Sequence, residues 1–304
     1  DVAVEWSKQQ IAGNVKWHTN AEHALYDKLV YGKLRAAFGG QLEFAISGGA
    51  PLGARLGHFF HGAGVLVLEG YGLTETTAAA TVNTPDEFKI GTVGQPIPGA
   101  GVRIADDGEI LLKGGMIFDG YWKNPEATAE VLVGDGWFAS GDIGEIDDDG
   151  FVRITGRKKE LIVTAGGKNV APAVLEDAVR ANALVSQVMV VGDEKPFIGA
   201  IVTLDAEELT KWADAKGAHS SAPGELTREM LDDEGDELRS EISGAIDDAN
   251  KLVSRAESIR EFRILADDFT IESGELTPTL KMKRNVIADN RSKAIESIYA
   301  PRKS

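Results

Sequence analysis

The 304-residue sequence contains no cysteine. Disulfides, thiolate-held zinc and a cysteine nucleophile are therefore excluded, and a reducing, cytoplasmic location is the expectation. Long apolar runs are also missing, and none approaches the roughly 20 residues needed to cross a bilayer. No membrane span is read, and peripheral association is left open. The first residues, Asp1-Val2-Ala3-Val4-Glu5-Trp6, have no basic stretch followed by an apolar core, so no secretory signal is expected there. Asp1 stands in place of an initiating methionine, which reads as the start of a segment, whether made by design, by proteolysis or as part of a larger whole. Positive charge is scarce: 32 Lys and Arg face 48 Asp and Glu, a net charge of −16. Broad binding to nucleic acid is excluded on that ground, because its affinity comes from Lys and Arg neutralising phosphates. A local basic pocket for one nucleotide is still compatible.

What is present is the balance of a globular chain, 43% hydrophobic and 26% charged, at a length that suits two domains. Leu25, Leu29, Leu34 and Phe38 recur at helical spacing across residues 22–38, and Gly39-Gly40 stops the helix. Leu42, Phe44 and Ile46 alternate as a strand that runs into Ser47-Gly48-Gly49-Ala50-Pro51-Leu52. A second helix and the apolar strand Val65-Leu66-Val67-Leu68 follow, so residues 1–88 predict a parallel sheet with crossover helices. Over residues 89–156, Asp106-Asp107-Gly108 and Asp148-Asp149-Gly150 separate short alternating segments. Those are hairpin turns, and they predict a small antiparallel barrel or sheet. Residues 157–304 read as α+β. A helix begins after Pro172, strands cover 185–192 and 197–204, and another helix starts near Asp205. A Gly/Ser/Ala/Pro-rich linker occupies 217–227, a charged helix about 234–256, and a last helix from Met282 carries Val286, Ile287, Ile295 and Ile298. The boundary between the two domains falls near residues 156–159, and clefts between domains often hold small molecules.

The densest local signal is Glu69-Gly70-Tyr71-Gly72-Leu73-Thr74-Glu75-Thr76, directly after the apolar strand. Glycines at a strand's end let the backbone turn and approach a ligand closely. Tyr71 then offers a face for a purine, Thr74 a hydroxyl for a phosphate, and Glu75 a hard oxygen for Mg²⁺. On spacing alone the same residues also read as a Gly-rich connection that caps the next helix. The run Tyr71–Thr76 is similar to the signature of the adenylate-forming superfamily. That group includes acyl-CoA synthetases, coumarate-CoA ligases, luciferases and peptide-synthetase adenylation domains.

Further matches follow in the family's order. Gly48-Gly49-Ala50-Pro51-Leu52 resembles the loop that borders adenine and the acyl pocket, and Gly70, Tyr71 and Gly72 are assigned to the same nucleotide. Gly108-Glu109-Ile110-Leu111-Leu112-Lys113-Gly114, with Gly120-Tyr121-Trp122, resembles a structural strand motif without catalytic role. Gly136–Asp142 resembles the segment whose Asp, here Asp142, holds the ribose; a carboxylate accepts well from two vicinal hydroxyls. Gly156-Arg157-Lys158-Lys159-Glu160 resembles the hinge between lobes, Arg157 matching the family's ribose- and phosphate-contacting Arg and Lys159 its pivot. Thr164-Ala165-Gly166-Gly167-Lys168-Asn169 resembles the glycine loop lining the pantetheine tunnel, which places Gly166 and Gly167 beside coenzyme A. Val163 stands where coumarate ligases and luciferases carry a further Lys. In Leu276-Thr277-Pro278-Thr279-Leu280-Lys281-Met282-Lys283-Arg284, Lys281 matches the family's catalytic lysine.

The resemblance is nearest to long-chain fatty acyl-CoA ligases of actinobacterial type. It implies part of a large adenylate-forming lobe (parallel sheet with helices, then a small antiparallel barrel, 1–156), followed by a small mobile α+β domain (157–304) hinged at 157–159. It implies a fatty acid, ATP and coenzyme A as reactants, AMP as product and Mg²⁺ on Glu75, with Lys281, Glu75 and Thr74 catalytic. Members also carry a Ser/Thr/Gly-rich loop ending in Lys-Gly around the β- and γ-phosphates, and nothing of that kind precedes Gly48. The chain is thus expected to correspond to the carboxy-terminal half of a member, to need the missing amino-terminal half as partner, and to have little ligase activity alone. An aryl or other adenylate-forming ligase, and a nucleotide-binding fragment without turnover, are the competing readings.

Overall fold

Apolar alternation, turn chemistry and helical spacing each leave a visible element. The computed structural model describes residues 2–216 and 235–300, so the linker expected at 217–227 lies outside the described residues. Two units divide between Lys158 and Lys159.

The first unit opens with α1 (Val2–Ile11) and α2 (Trp17–Tyr26), a π-helical turn over Asp27–Tyr31, and α3 (Gly32–Ala37). It continues with β1 (Phe44–Ser47), α4 (Ala54–Gly62), β2 (Leu66–Gly72), β3 (Ala79–Val82) and β4 (Gln95–Pro96). β1 and β2 pair in parallel across α4, with Ser47 opposite Glu69. The parallel pair expected within residues 1–88 is thus present, but the sheet continues beyond it as antiparallel β2–β3 and β3–β4. The link between β2 and β3 is far shorter than the dozen or so residues a parallel crossover needs. The helix expected over 22–38 starts earlier and contains the π turn. Its apolar stripe is only partly as expected: Leu34 packs, with Tyr31, against Ala3, Phe59 and Ala63, while Leu25, Leu29 and Phe38 are exposed. Phe44 and Ile46 of β1, the edge strand of its sheet, are exposed as well. Where α1 meets α4, the buried Ser7 hydroxyl lies 2.9 Å from Nδ1 of both His58 and His61.

The same unit then forms β5 (Gly101–Ile104), β6 (Glu109–Lys113), α5 (Pro125–Val131), β7 (Leu132–Val133), β8 (Trp137–Ile146) and β9 (Val152–Arg157). These five strands make one antiparallel sheet in the order β5-β6-β8-β7, with β9 also on β8. Asp107 and Asp147 shape its two Asp-Gly turns by accepting backbone N–H bonds from Glu109, Asp149 and Phe151. Tyr71, Ala80, Ile110, Leu112, Phe138 and Val152 form its core.

The second unit contains β10 (Ile162–Val163), β11 (Asn169–Val170), α6 (Pro172–Val179), β12 (Val185–Val191), β13 (Ile198–Leu204), α7 (Ala206–Lys216), α8 (Gly235–Asn250), β14 (Ile259–Ile264), α9 (Arg284–Asn290) and α10 (Ser292–Tyr299). β13 is central, antiparallel to β12 and parallel to β14, and buried throughout. The period of two sends Val188, Val190, Ala200 and Val202 into one cluster with Leu175, Leu238 and Ile242. Met189 and Ile201 go to the opposite cluster with Phe269, Ile287 and Ile298. The single helix expected from Met282 is instead α9 and α10, broken at Arg291, whose guanidinium is drawn onto Glu275. No described helix is long and apolar enough to cross a membrane.

Candidate functional site

The carboxyl ends of parallel strands gather backbone groups that a sheet no longer uses, and ligands of open α/β sheets bind there. In the first unit, β1 ends at Ser47 opposite Glu69, and β2 runs on to Gly72. The Gly48-Gly49-Ala50-Pro51 loop leaves β1, and a Cβ at Gly48 would stand 3.3 Å from the Gly70 carbonyl. Glu69, buried in the middle of β2, accepts the Leu52 N–H at 3.0 Å and so fixes this loop. Its carbonyl takes Asn83 N and Nδ2. Glu69 carries no ligand-like signal in the sequence; only the parallel register with Ser47 reveals its task.

Gly70 and Gly72 lie inside β2, not in a turn after it, which corrects the sequence reading. They are small because β3 returns against them: a Cβ at Gly72 would lie 1.7 Å from the Ala78 carbonyl oxygen. Tyr71 between them points into the core, with 7% of its surface exposed. Its role here is a hydrogen bond from the phenol to Asp142 Oδ2 at 2.6 Å, rather than an open aromatic face. Burial, then the charge of Asp142, push the Tyr71 pKa far up and keep the phenol a donor.

Asp142 on β8 faces Arg157 on β9 in register. Its side chain is 4% exposed, and Oδ1 lies 2.9 Å from Arg157 Nε, whose side chain is 56% exposed. The backbone enters this position through Gly141, whose N–H is held by Glu109 Oε1 at 2.8 Å. A buried carboxylate thus carries a phenol on one oxygen and an outward guanidinium on the other.

Thr74 and Glu75 begin a single 3₁₀ turn, Thr74–Thr76, just beyond β2. Thr74 is exposed. Thr76, buried, closes the turn by donating to the Leu73 and Ala78 carbonyls. Glu75 Oε1 accepts the Tyr121 hydroxyl at 2.7 Å, and that bond, followed by burial, raises the Tyr121 pKa. Among the described residues no group of three or more His, Asp or Glu side chains could hold a metal. A single carboxylate fits a Mg²⁺ ion whose other ligands are phosphates and water, the usual way this ion is bound.

In the second unit, Lys159 is exposed within the 3₁₀ turn Lys158–Glu160. Gly166 and Gly167 are exposed in the β10–β11 turn, where Gly167 has φ 77° and its N–H meets the Thr164 carbonyl at 2.8 Å. A Cβ at Gly166 would touch nothing closer than 3.9 Å. Lys281 is exposed on a separate loop pinched by a Leu276–Met282 bridge. Its N–H reaches Thr277 Oγ1 at 3.0 Å, its carbonyl accepts Thr277 N at 2.8 Å, and the preceding Leu280 has φ 59°. Completely buried Glu275 anchors the base of this loop through a two-pronged pair with Arg291, 2.8 and 3.0 Å. Arg284 forks onto buried Glu176 at 2.8 and 2.5 Å. The sequence reading singled out none of these four supports, because each pair joins residues at least 16 positions apart.

The AMP-binding enzyme family profile matches residues 13–122, and that of the AMP-binding enzyme C-terminal domain matches residues 159–303. The chain is 54% identical over 297 residues to the long-chain-fatty-acid–CoA ligase FadD15 of Mycobacterium tuberculosis, covering 98% of this chain and 48% of the relative. To the long-chain-fatty-acid–CoA ligase ACSBG2 of Gallus gallus it is 35% identical over 310 residues, covering 94% and 41%. The chain therefore spans about half the length of the curated relatives it matches. Among solved structures it is similar to the adenylation domain of a carboxylate reductase from Mycobacterium chelonae, with TM-score 0.71, 25% identity and coverage of 99% and 45%. It is also similar to ATP-bound MatB from Rhodopseudomonas palustris, with TM-score 0.61, 28% identity and coverage of 83% and 46%.

Proposed function

Because the chain belongs to the AMP-binding enzymes, we propose that it supplies the nucleotide- and thiol-handling half of a long-chain fatty acid–CoA ligase. The buried Asp142, with Tyr71 on one oxygen and Arg157 on the other, carries this reading. A carboxylate suits the vicinal hydroxyls of a ribose, and the outward guanidinium of Arg157 suits the neighbouring phosphate. The Gly48–Pro51 loop borders the base, and Thr74 meets a phosphate. Mg²⁺, held by Glu75 and the phosphates, would supply charge neutralisation.

The reaction proceeds in two steps. A fatty carboxylate oxygen attacks the α-phosphorus of ATP, and pyrophosphate leaves. The sulfur of coenzyme A then attacks the acyl carbonyl and AMP leaves, giving the thioester. Anions converge in the first step, so a fixed cation matters most there, and Lys281 provides it. Gly166 and Gly167 leave room for the pantetheine arm in the second step, and Lys159 is the pivot between the two tasks.

The test is a fusion of this chain to the amino-terminal half of the mycobacterial relative, assayed for pyrophosphate release and, separately, for thioester formation from supplied acyl-adenylate. Lys281→Ala is expected to slow the first by about 10²–10³-fold, the size of losing one preorganised stabilising group, and to spare the second. Equal loss in both steps would remove Lys281 from adenylation. A fusion that binds AMP yet releases no pyrophosphate with any fatty acid would overturn the ligase reading.

A further inference from the structure

A one-residue pivot works only if the residues on either side of it cannot share the rotation. Otherwise the dihedral change spreads along the chain and the end states lose definition. Both neighbours of Lys159 are held. Lys158 Nζ lies 2.6 Å from Asp107 Oδ2 and 2.7 Å from Glu109 Oε2. Those two carboxylates belong to the β5–β6 hairpin and to the first residue of β6. Glu109 is itself immobilised, since its side chain is only 10% exposed and its other oxygen takes the Gly141 N–H. On the far side, Glu160 Oε2 lies 3.4 Å from Arg284 Nε. Arg284 in turn is forked onto Glu176, and Glu176 Oε1 also accepts Val190 N from the central sheet at 2.8 Å. Lys159 makes no ion pair among the described residues.

We propose that Lys158 and Arg284 are positioning residues that confine the hinge to Lys159, one fastening the last residue of the first unit and the other fastening Glu160 in the second. The proposal rests on Lys159 being the pivot and adds the parts that make it a sharp one. Each clamp also reaches a residue of the proposed chemistry. Glu109 joins Lys158 to the backbone beside Asp142, and Arg284 sits three positions after Lys281. A turn at Lys159 therefore carries each unit's reactive loop as a rigid attachment.

The absence of cysteine gives a direct test on this chain. Asp148→Cys and Glu207→Cys, both at exposed positions, place one dye in each unit, and single-molecule energy transfer reads the distribution of distances between them. The unclamped chain is expected to lose discrete populations: Lys158→Met and Glu160→Gln should each merge them into one broad distribution, and Lys158→Arg should restore them. Glu160→Gln leaves the Arg284–Glu176 fork intact, so folding is not at stake, and thermal melting of each variant checks this. Lys159→Pro is the control for the pivot itself. If Lys159→Pro leaves the distribution unchanged, the pivot reading falls. If Lys159→Pro alters it while Lys158→Met and Glu160→Gln behave as wild type, the clamps are overturned and the pivot stands.

Discussion

At the scale of single residues, the site depends on where buried charge is placed. Asp142 and Arg157 were singled out in the sequence only through the resemblance of their runs to family motifs, and folding brings the two side chains together. Tyr71 was read as an open face for a purine, and its bond to Asp142 was not foreseen, since that partner lies 71 positions away. The same holds for Glu69 and Glu275, whose carboxylates serve backbone or guanidinium groups that only folding brings near. Tyr71→Phe keeps the ring and removes the donor, leaving a buried carboxylate oxygen short of one bond. The expected cost is about 1–3 kcal/mol of stability, read as a lower urea midpoint with an unchanged slope.

At the scale of elements, alternation and turn residues predicted β1, the Asp-Gly hairpins and the pair β12–β13, because those signals are local. Three features escaped it. The antiparallel return of β3 follows from a short link, the break between α9 and α10 from Arg291 being held by Glu275, and the exposure of Leu25, Leu29 and Phe38 from which helical face finds neighbours. The β2–β3 return sets a strict volume limit at Gly72, where any side chain meets the Ala78 carbonyl. Gly72→Ala is therefore expected to destabilise the first unit by about 1–3 kcal/mol, as overpacking does, and to speed hydrogen exchange in residues 66–82. A variant with wild-type exchange in that segment would show that β3 can yield.

At the scale of the whole molecule, the two units carry different acid-sensitive parts. Burial lowers the pKa of His58, with smaller contributions from Lys8 and His61, and burial alone lowers that of His61. Both are thus held neutral when folded, so their contribution is complete above the ordinary histidine value and lost as pH falls toward the folded pKa. Glu275 behaves otherwise: burial works to raise its pKa, but the hydrogen bonds from Arg291 and Ser273 win and hold it low. Its contribution persists until pH drops below the ordinary glutamate range. Hydrogen exchange followed downward from neutral pH is therefore expected to open residues 2–11 and 54–62 first, from about pH 6.5. Residues 276–291 should open later, below about pH 4. Simultaneous opening would contradict this order. The outer rim of β1 has a consequence of its own. A strand whose isoleucine and phenylalanine meet water beside hydrogen-bonding backbone is a template for another strand, in this molecule or the next. Self-association at high concentration is then expected to start at Phe44–Ser47, the strand that leads straight into the Gly48–Pro51 loop.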